Sequence, residues 1–211
     1  SSPWPELAEP AAERLVNLVP AAGHLVHMPS HIWMQTGRYD DAANCNRRAA
    51  ALDDAWFEGD PKAGEYSVYM AHNRHFLACE ANKQGRRREA LSASRAIETE
   101  VPPALMAAFA PFSDGVSASK WHVLVRFGMW QEILKEPGPP EWALVGKAMQ
   151  HYAKGIAYAN TERHEEAAEE IAALDDAVEK LVGKERKLGN QPASEVMKIA
   201  QQILRGEAAF K

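Results

Sequence analysis

Along most of the chain, apolar residues recur three or four positions apart, with Ala, Leu, Glu, Lys, Gln and Arg filling the intervals. No stretch sustains the alternation of apolar and polar residues that a half-buried strand requires, so the pattern predicts an all-α protein. It is clearest after Glu165, where Ile171, Leu174, Val178 and Leu181 mark one buried stripe on a helix whose first turn is acidic. Four copies of a short phrase punctuate this periodicity: Thr36-Gly37-Arg38-Tyr39-Asp40-Asp41-Ala42, Gln84-Gly85-Arg86-Arg87-Arg88-Glu89-Ala90, Phe127-Gly128-Met129-Trp130-Gln131-Glu132-Ile133 and Thr161-Glu162-Arg163-His164-Glu165-Glu166-Ala167. Successive copies lie 48, 43 and 34 residues apart. Each reads as a turn between two helices, and glycine in three of them supplies the left-handed backbone that ends the first helix.

Self-similarity at this period is the sign of a repeat array. It predicts helix pairs near residues 24–56, 67–99, 116–136 and 143–181 in a single 1–211 domain, flanked by terminal helices over 5–19 and 193–206. The segments Phe57 to Glu65 and Glu100 to Gly115, rich in Gly, Pro or Ser, read as loops, and Glu136-Pro137-Gly138-Pro139-Pro140 breaks the chain before the last pair. A small-aromatic-small set recurs with the phrase: Ser30, Trp33 and Ala42 in the first copy, Gly155, Tyr158 and Ala167 in the fourth. The second keeps Ala78 and Ala90 but has Ala81 for the aromatic, and the third departs further, with Trp121 at a small position and Pro137 in its second helix.

On these residues the chain resembles tetratricopeptide-repeat proteins over 24–181, which implies a right-handed α-solenoid of about four repeats. More narrowly, Met28-Pro29-Ser30-His31 ahead of Gly37-Arg38-Tyr39, with His72-Asn73-Arg74-His75-Phe76 about forty residues on, resembles a group of bacterial tetratricopeptide proteins. Members of that group are usually longer at the N-terminus, so the resemblance implies a portion of a larger protein. It brings no activity with it.

Composition narrows the field. A 46% hydrophobic content suffices for a continuous core, and a net charge of -5 with a pI near 5.9 argues against nucleic acid as a partner. Lys83, Arg86, Arg87 and Arg88 form the only basic knot and read as a solvated helix start. The stretch from Val101 to Phe112 contains three prolines and is too short to span a bilayer, so no membrane partner is expected. Ser1-Ser2-Pro3-Trp4-Pro5 is not a signal peptide but fits the cut edge of a longer precursor. With only Cys45 and Cys79, a reducing, cytoplasmic setting is favoured and secretion is left open.

The candidate chemistry lies in the histidines. His24, His27 and His31 stand at i, i+3 and i+7, within about 60° of one another around a helix. His72, His75 and Cys79 repeat that spacing 48 residues on, and His122 falls in the column of His31 and Cys79. The tetratricopeptide resemblance implies that these columns line a concave groove, with Trp33, Gln35 and Asn82 adding to the lining. Two function classes follow. The leading one is a non-enzymatic binding module that holds a peptide, protein or small polar ligand in this groove. The other is a copper- or zinc-binding protein, with metal-dependent catalysis as its extension, using His24, His27, His31, His72, His75 and Cys79. Neutral imidazole and thiolate are the usual ligands of those ions, and packed helices lie about 8–10 Å apart, close enough for side chains to converge. The chain lacks a phosphate loop, a His-Glu-x-x-His helix, a nucleophile elbow and a Cys-x-x-Cys pair, so no catalytic residue is named and the balance leans away from an enzyme. Asp53-Asp54 and Asp175-Asp176 read as surface acids near helix ends.

Overall fold

A computed structural model of the protein describes residues 3–57 and 64–211. Among the described residues the fold is all-α apart from one minimal hairpin, and the chain divides into two compact units, Ser1–Pro102 and Pro103–Lys211.

The first unit begins with a 3-10 turn, Pro5–Ala8, followed by α1 (Glu9–Leu15), α2 (Gly23–His27), α3 (Ser30–Thr36), α4 (Tyr39–Phe57), α5 (Ser67–Lys83) and α6 (Arg87–Glu100). The long helix α4 packs on α2, α3 and α5, and α5 packs on α6. Small residues allow this close approach: Ala12, Val26, Trp33, Ala42, Cys45 and Ala49 form one core cluster, and Ala43, Leu77, Ala78 and Ala93 join α4, α5 and α6 in a second. The predicted first helix, 5–19, is shorter than expected. It stops at Leu15, and the chain turns over residues 16–21. Residues 58–63 of the predicted loop at Phe57 to Glu65 lie outside the described residues.

The second unit contains α7 (Pro103–Ala108), α8 (Ala110–Ser117), α9 (Ser119–Arg126), α10 (Trp130–Lys135), α11 (Leu144–Ala159), α12 (His164–Glu179), the antiparallel pair β1 (Lys187–Leu188) and β2 (Gln191–Pro192), and α13 (Ala193–Phe210). The loop expected from Glu100 to Gly115 is largely helical. Pro103 starts α7 and Pro111 sits in the first turn of α8, where a missing amide breaks no ladder bond, and Ala104 to Ala108 are good helix formers. Helix α10 ends before Pro137. Gly155 lets α13 approach α11, since a Cβ there would stand 2.7 Å from Leu204 Cδ2. The carboxylate of Asp114, wholly buried, accepts hydrogen bonds from the amides of Val145 and Gly146 at the start of α11 (2.9 and 3.0 Å) and from Arg186 Nε (3.1 Å).

All four copies of the recurring phrase turn the chain between helices in the same way. The amides of Arg38, Arg86, Met129 and Arg163 reach back five residues to the carbonyls of Trp33, Ala81, Leu124 and Tyr158, at 2.8–3.0 Å. Gly37, Gly85 and Gly128 take the positive φ that this closure needs, and in the fourth copy Glu162 takes it at φ 58°. No described helix is long and apolar enough to cross a membrane.

Candidate metal centre

Where α2 and α3 meet α5, three imidazoles converge. The ligating nitrogens of His27, His31 and His72 all lie within 4.8 Å of one another. Helical periodicity alone does not produce this, because Pro29 interrupts the hydrogen-bond ladder between His27 and His31. Met28 and Pro29 nonetheless keep helical dihedrals (φ −51°, ψ −37° and φ −57°, ψ −27°). The two histidines therefore stay one turn apart on one face, with Nε2 to Nε2 at 3.0 Å.

His27 is the fixed point of the cluster. It is wholly buried, and its Nδ1 lies 2.6 Å from Asn46 Oδ1. The orientation of that amide is set by its other end, where Asn46 Nδ2 donates to the Ala42 carbonyl (3.1 Å) and to both oxygens of Glu80 (2.8 and 3.0 Å). The oxygen of Asn46 must then face His27, so His27 carries its proton on Nδ1 and its Nε2 lone pair accepts from His31 Nε2–H, 3.0 Å away. That lone pair faces His31 and His72. An anchored acceptor that fixes the tautomer of an imidazole through its other nitrogen is the usual outer shell of a histidine metal ligand. His24, His31 and His72 are half-buried and open the cluster outward, while Phe76 lies with its ring 4.4–4.8 Å from those of His27, His31 and His72.

Burial sets the protonation of the group. It lowers His27 to about 3, against the opposing bond from Asn46 and with help from the neighbouring imidazoles, and lowers His72 to about 4. His24 and His31 are lowered for the same reason. Glu80, wholly buried, is raised to about 8 by loss of solvent, with Asn46 and Arg47 opposing. Neutral imidazoles are the form that binds metal.

The remaining candidates lie elsewhere. His75 turns about 60° away from His72 around α5 and pairs with Cys79, whose Sγ is 3.8 Å from His75 Nε2. Burial raises the Cys79 thiol to about 11, so it is not a ready thiolate. Trp33, expected in the groove lining, is a core residue instead. Two positions beyond His31 it points about 200° around the helix, into the cluster with Ala42 and Cys45, where Arg38 stacks 5.2 Å over its ring. Gln35 is exposed and donates to the His31 carbonyl, and Asn82 stands near the C-terminus of α5. His122 belongs to the second unit, where it lines a cavity of about 210 Å³ with Met149, Tyr152, Ile199 and Ile203.

Asp53, read as a surface acid, is buried on α4. It accepts from Tyr66 Oη (3.0 Å) and Asn73 Nδ2 (2.8 Å), and a side chain at Gly23 would collide with it, the Cβ falling 2.0 Å from Asp53 Oδ1. Asp54 is the exposed partner, forked by Arg74.

No protein-family profile matches this chain, and neither a curated protein nor a solved structure shows significant similarity to it. The site must therefore be judged by its own chemistry. Its inner nitrogens, from 3.0 Å between His27 and His31 up to 4.8 Å at most, bracket the roughly 3.5 Å between ligands around an ion with metal–nitrogen bonds of about 2.0–2.1 Å. Asn46 and Glu80, on which the geometry depends, were missed in the sequence, although both are polar residues set within buried alanine stripes: Asn46 with Ala42, Ala43 and Ala49, Glu80 with Ala78 and Ala81.

Proposed function

We propose that the first unit is a transition-metal-binding centre, taking zinc or copper through His27, His31 and His72, carried on tetratricopeptide-like helix pairs. The observation that carries this reading is the lone pair of His27 Nε2, fixed by the Glu80 and Asn46 bonds and turned toward two other neutral imidazoles. An all-imidazole donor set suits zinc or copper and disfavours magnesium or calcium, which prefer oxygen. The repeat part of the proposal is supported by the common turn geometry of the four phrases. A peptide-binding groove ranks second, since it needs polar atoms turned outward, whereas the inner nitrogens here face one another.

Elemental analysis of tag-free protein, before and after dialysis against zinc or copper, tests the proposal. Close to one equivalent retained by the native chain and lost from the His27→Ala/His72→Ala double variant is expected. Retention that ignores both substitutions, or no retention at all, overturns it.

A further inference from the structure

Two buried polar atoms beside the three-histidine cluster, His24 Nδ1 and Asn73 Oδ1, make no hydrogen bond of good geometry, although Asn73 stands close enough to His24 to favour its protonated form. Their positions are not arbitrary. Asn73 is anchored at its other end, where its amide nitrogen donates to Asp53, itself held by Tyr66. The arrangement matches the chain from Glu80 through Asn46 to His27, with the helices exchanged. There the carboxylate is on α5 and the amide on α4; here the carboxylate is on α4 and the amide on α5. Both amides back a histidine of α2. In the first chain the final bond is short, and in the second the two groups are in reach of each other without a well-formed bond. A poorly formed bond between two buried groups is a standing cost, removed by any event that brings the two atoms into line.

Metal binding supplies such an event. Around an ion with metal–nitrogen bonds of about 2.0–2.1 Å, ring centres lie about 1 Å beyond the nitrogens, so two tetrahedrally placed imidazoles have centres roughly 5 Å apart. His24 already lies 5.3 Å from His27, within the 4.7–5.7 Å spanned by the three-histidine group itself, and 5.9 Å from His72, just beyond it. A swing of the His24 ring toward His31 brings its Nε2 to the ion and turns Nδ1–H toward Asn73 Oδ1. The tilted ring of Tyr69, 4.6 Å from His24, flanks this movement.

Building on the metal reading above, we infer that His24 is the fourth ligand, its Nδ1–H donating to Asn73, so that four imidazoles close the coordination sphere and exclude water from the ion. A closed sphere holds or delivers metal and does not activate a water molecule. The proposal is distinct from the metal reading because three histidines would bind without it.

The test uses the whole chain loaded with cobalt(II) in place of zinc, read by X-ray absorption and by visible spectra during titration with azide. Four imidazoles and a spectrum indifferent to azide are expected for the native protein. His24→Ala, a half-buried position, retains the ion with three imidazoles and one light-atom ligand, and azide shifts its spectrum. Asn73→Ala, which removes the acceptor, is likewise expected to admit azide. Three imidazoles in the native protein, or equal azide shifts in native and His24→Ala protein, overturn the fourth ligand and leave the three-histidine centre standing. A chain that binds neither cobalt nor zinc overturns both.

Discussion

Asp114 in the second unit and Glu80 in the first are both wholly buried carboxyl groups at the seams between helices, yet their surroundings are completed differently. Asp114 meets two backbone amides and a guanidinium, all supplied by the fold, and nothing further is needed. Glu80 accepts from the amide of Asn46, which passes the interaction on to His27, and the chain continues through the His27 Nε2 lone pair to His31, beside His72. A polar group saturated by its own backbone is a structural fixture. One whose hydrogen bonds lead to a cluster of converging imidazoles is prepared for something the chain does not contain.

Removing the fixture should have the larger effect on stability. Asp114→Ala strands Arg186 and two amides and is expected to cost on the order of 3 kcal/mol in urea unfolding, equally with and without zinc. If zinc restored that loss, the distinction between the two seams would fail. Asn46→Ala removes the short bond to His27 Nδ1 and both bonds to Glu80. We expect about 2 kcal/mol lost in the metal-free protein and zinc affinity lowered roughly 10–100-fold by calorimetry. Unchanged affinity would make Asn46 a packing residue only.

The two titrating ends of the first seam pull stability in opposite directions with pH. Burial lowers His27 and His72 to about 3 and about 4, so below about 6.5 the unfolded chain takes up protons that the native state refuses, and stability falls as pH drops. His24 and His31 act in the same sense. Glu80, raised from 4.5 to about 8, holds a proton in the native state that the unfolded chain has lost, so its contribution disappears as pH rises through that window. Asp53, also raised, adds to that trend at the acid end. Below 6.5 the histidines outnumber the acids, and above it Glu80 acts alone. The metal-free first unit should therefore be most stable near pH 6.5, as read by hydrogen exchange in α4 and α5, and Glu80→Gln should flatten only the alkaline limb. A steady rise in stability up to pH 8 would show that Glu80 is ionised throughout.

The smallest effect separates the turns from the seams. Glu162 is the only non-glycine among the described residues with positive φ. Glu162→Gly should stabilise the second unit by about 1 kcal/mol, and Gly37→Ala should cost about as much in the first. Neither is expected to change zinc affinity by more than the error of a titration.

The turns were legible in the sequence because glycine at a helix end has a local cause, and all four phrases fall where the chain reverses. The helices α7 and α8 were not. Pro103 and Pro111 look like breakers when counted and act as starters when positioned, a difference that depends on where the first turn falls. At the candidate site, spacing placed His24, His27 and His31 on one face, but it treated the 48-residue offset as an equivalence. His75 copies the spacing of His27 without copying its role, because α5 offers His72, Phe76 and Glu80 to the preceding helices and turns His75 toward Cys79. Asn46, Glu80 and Asp53 escaped because the meaning of a buried polar residue lies in its partner across a helix interface, 20 to 34 residues away in the chain.

Phe76 gives the cluster a built-in reporter. Its ring stands edge-on or tilted to three imidazoles at 4.4–4.8 Å, so its circulating π electrons displace the proton resonances of each by an amount set by distance and angle. A fraction of an ångström of imidazole movement would then be visible in a one-dimensional proton spectrum, histidine by histidine. Whatever enters among these rings announces which of them it touched, without any label attached to the protein.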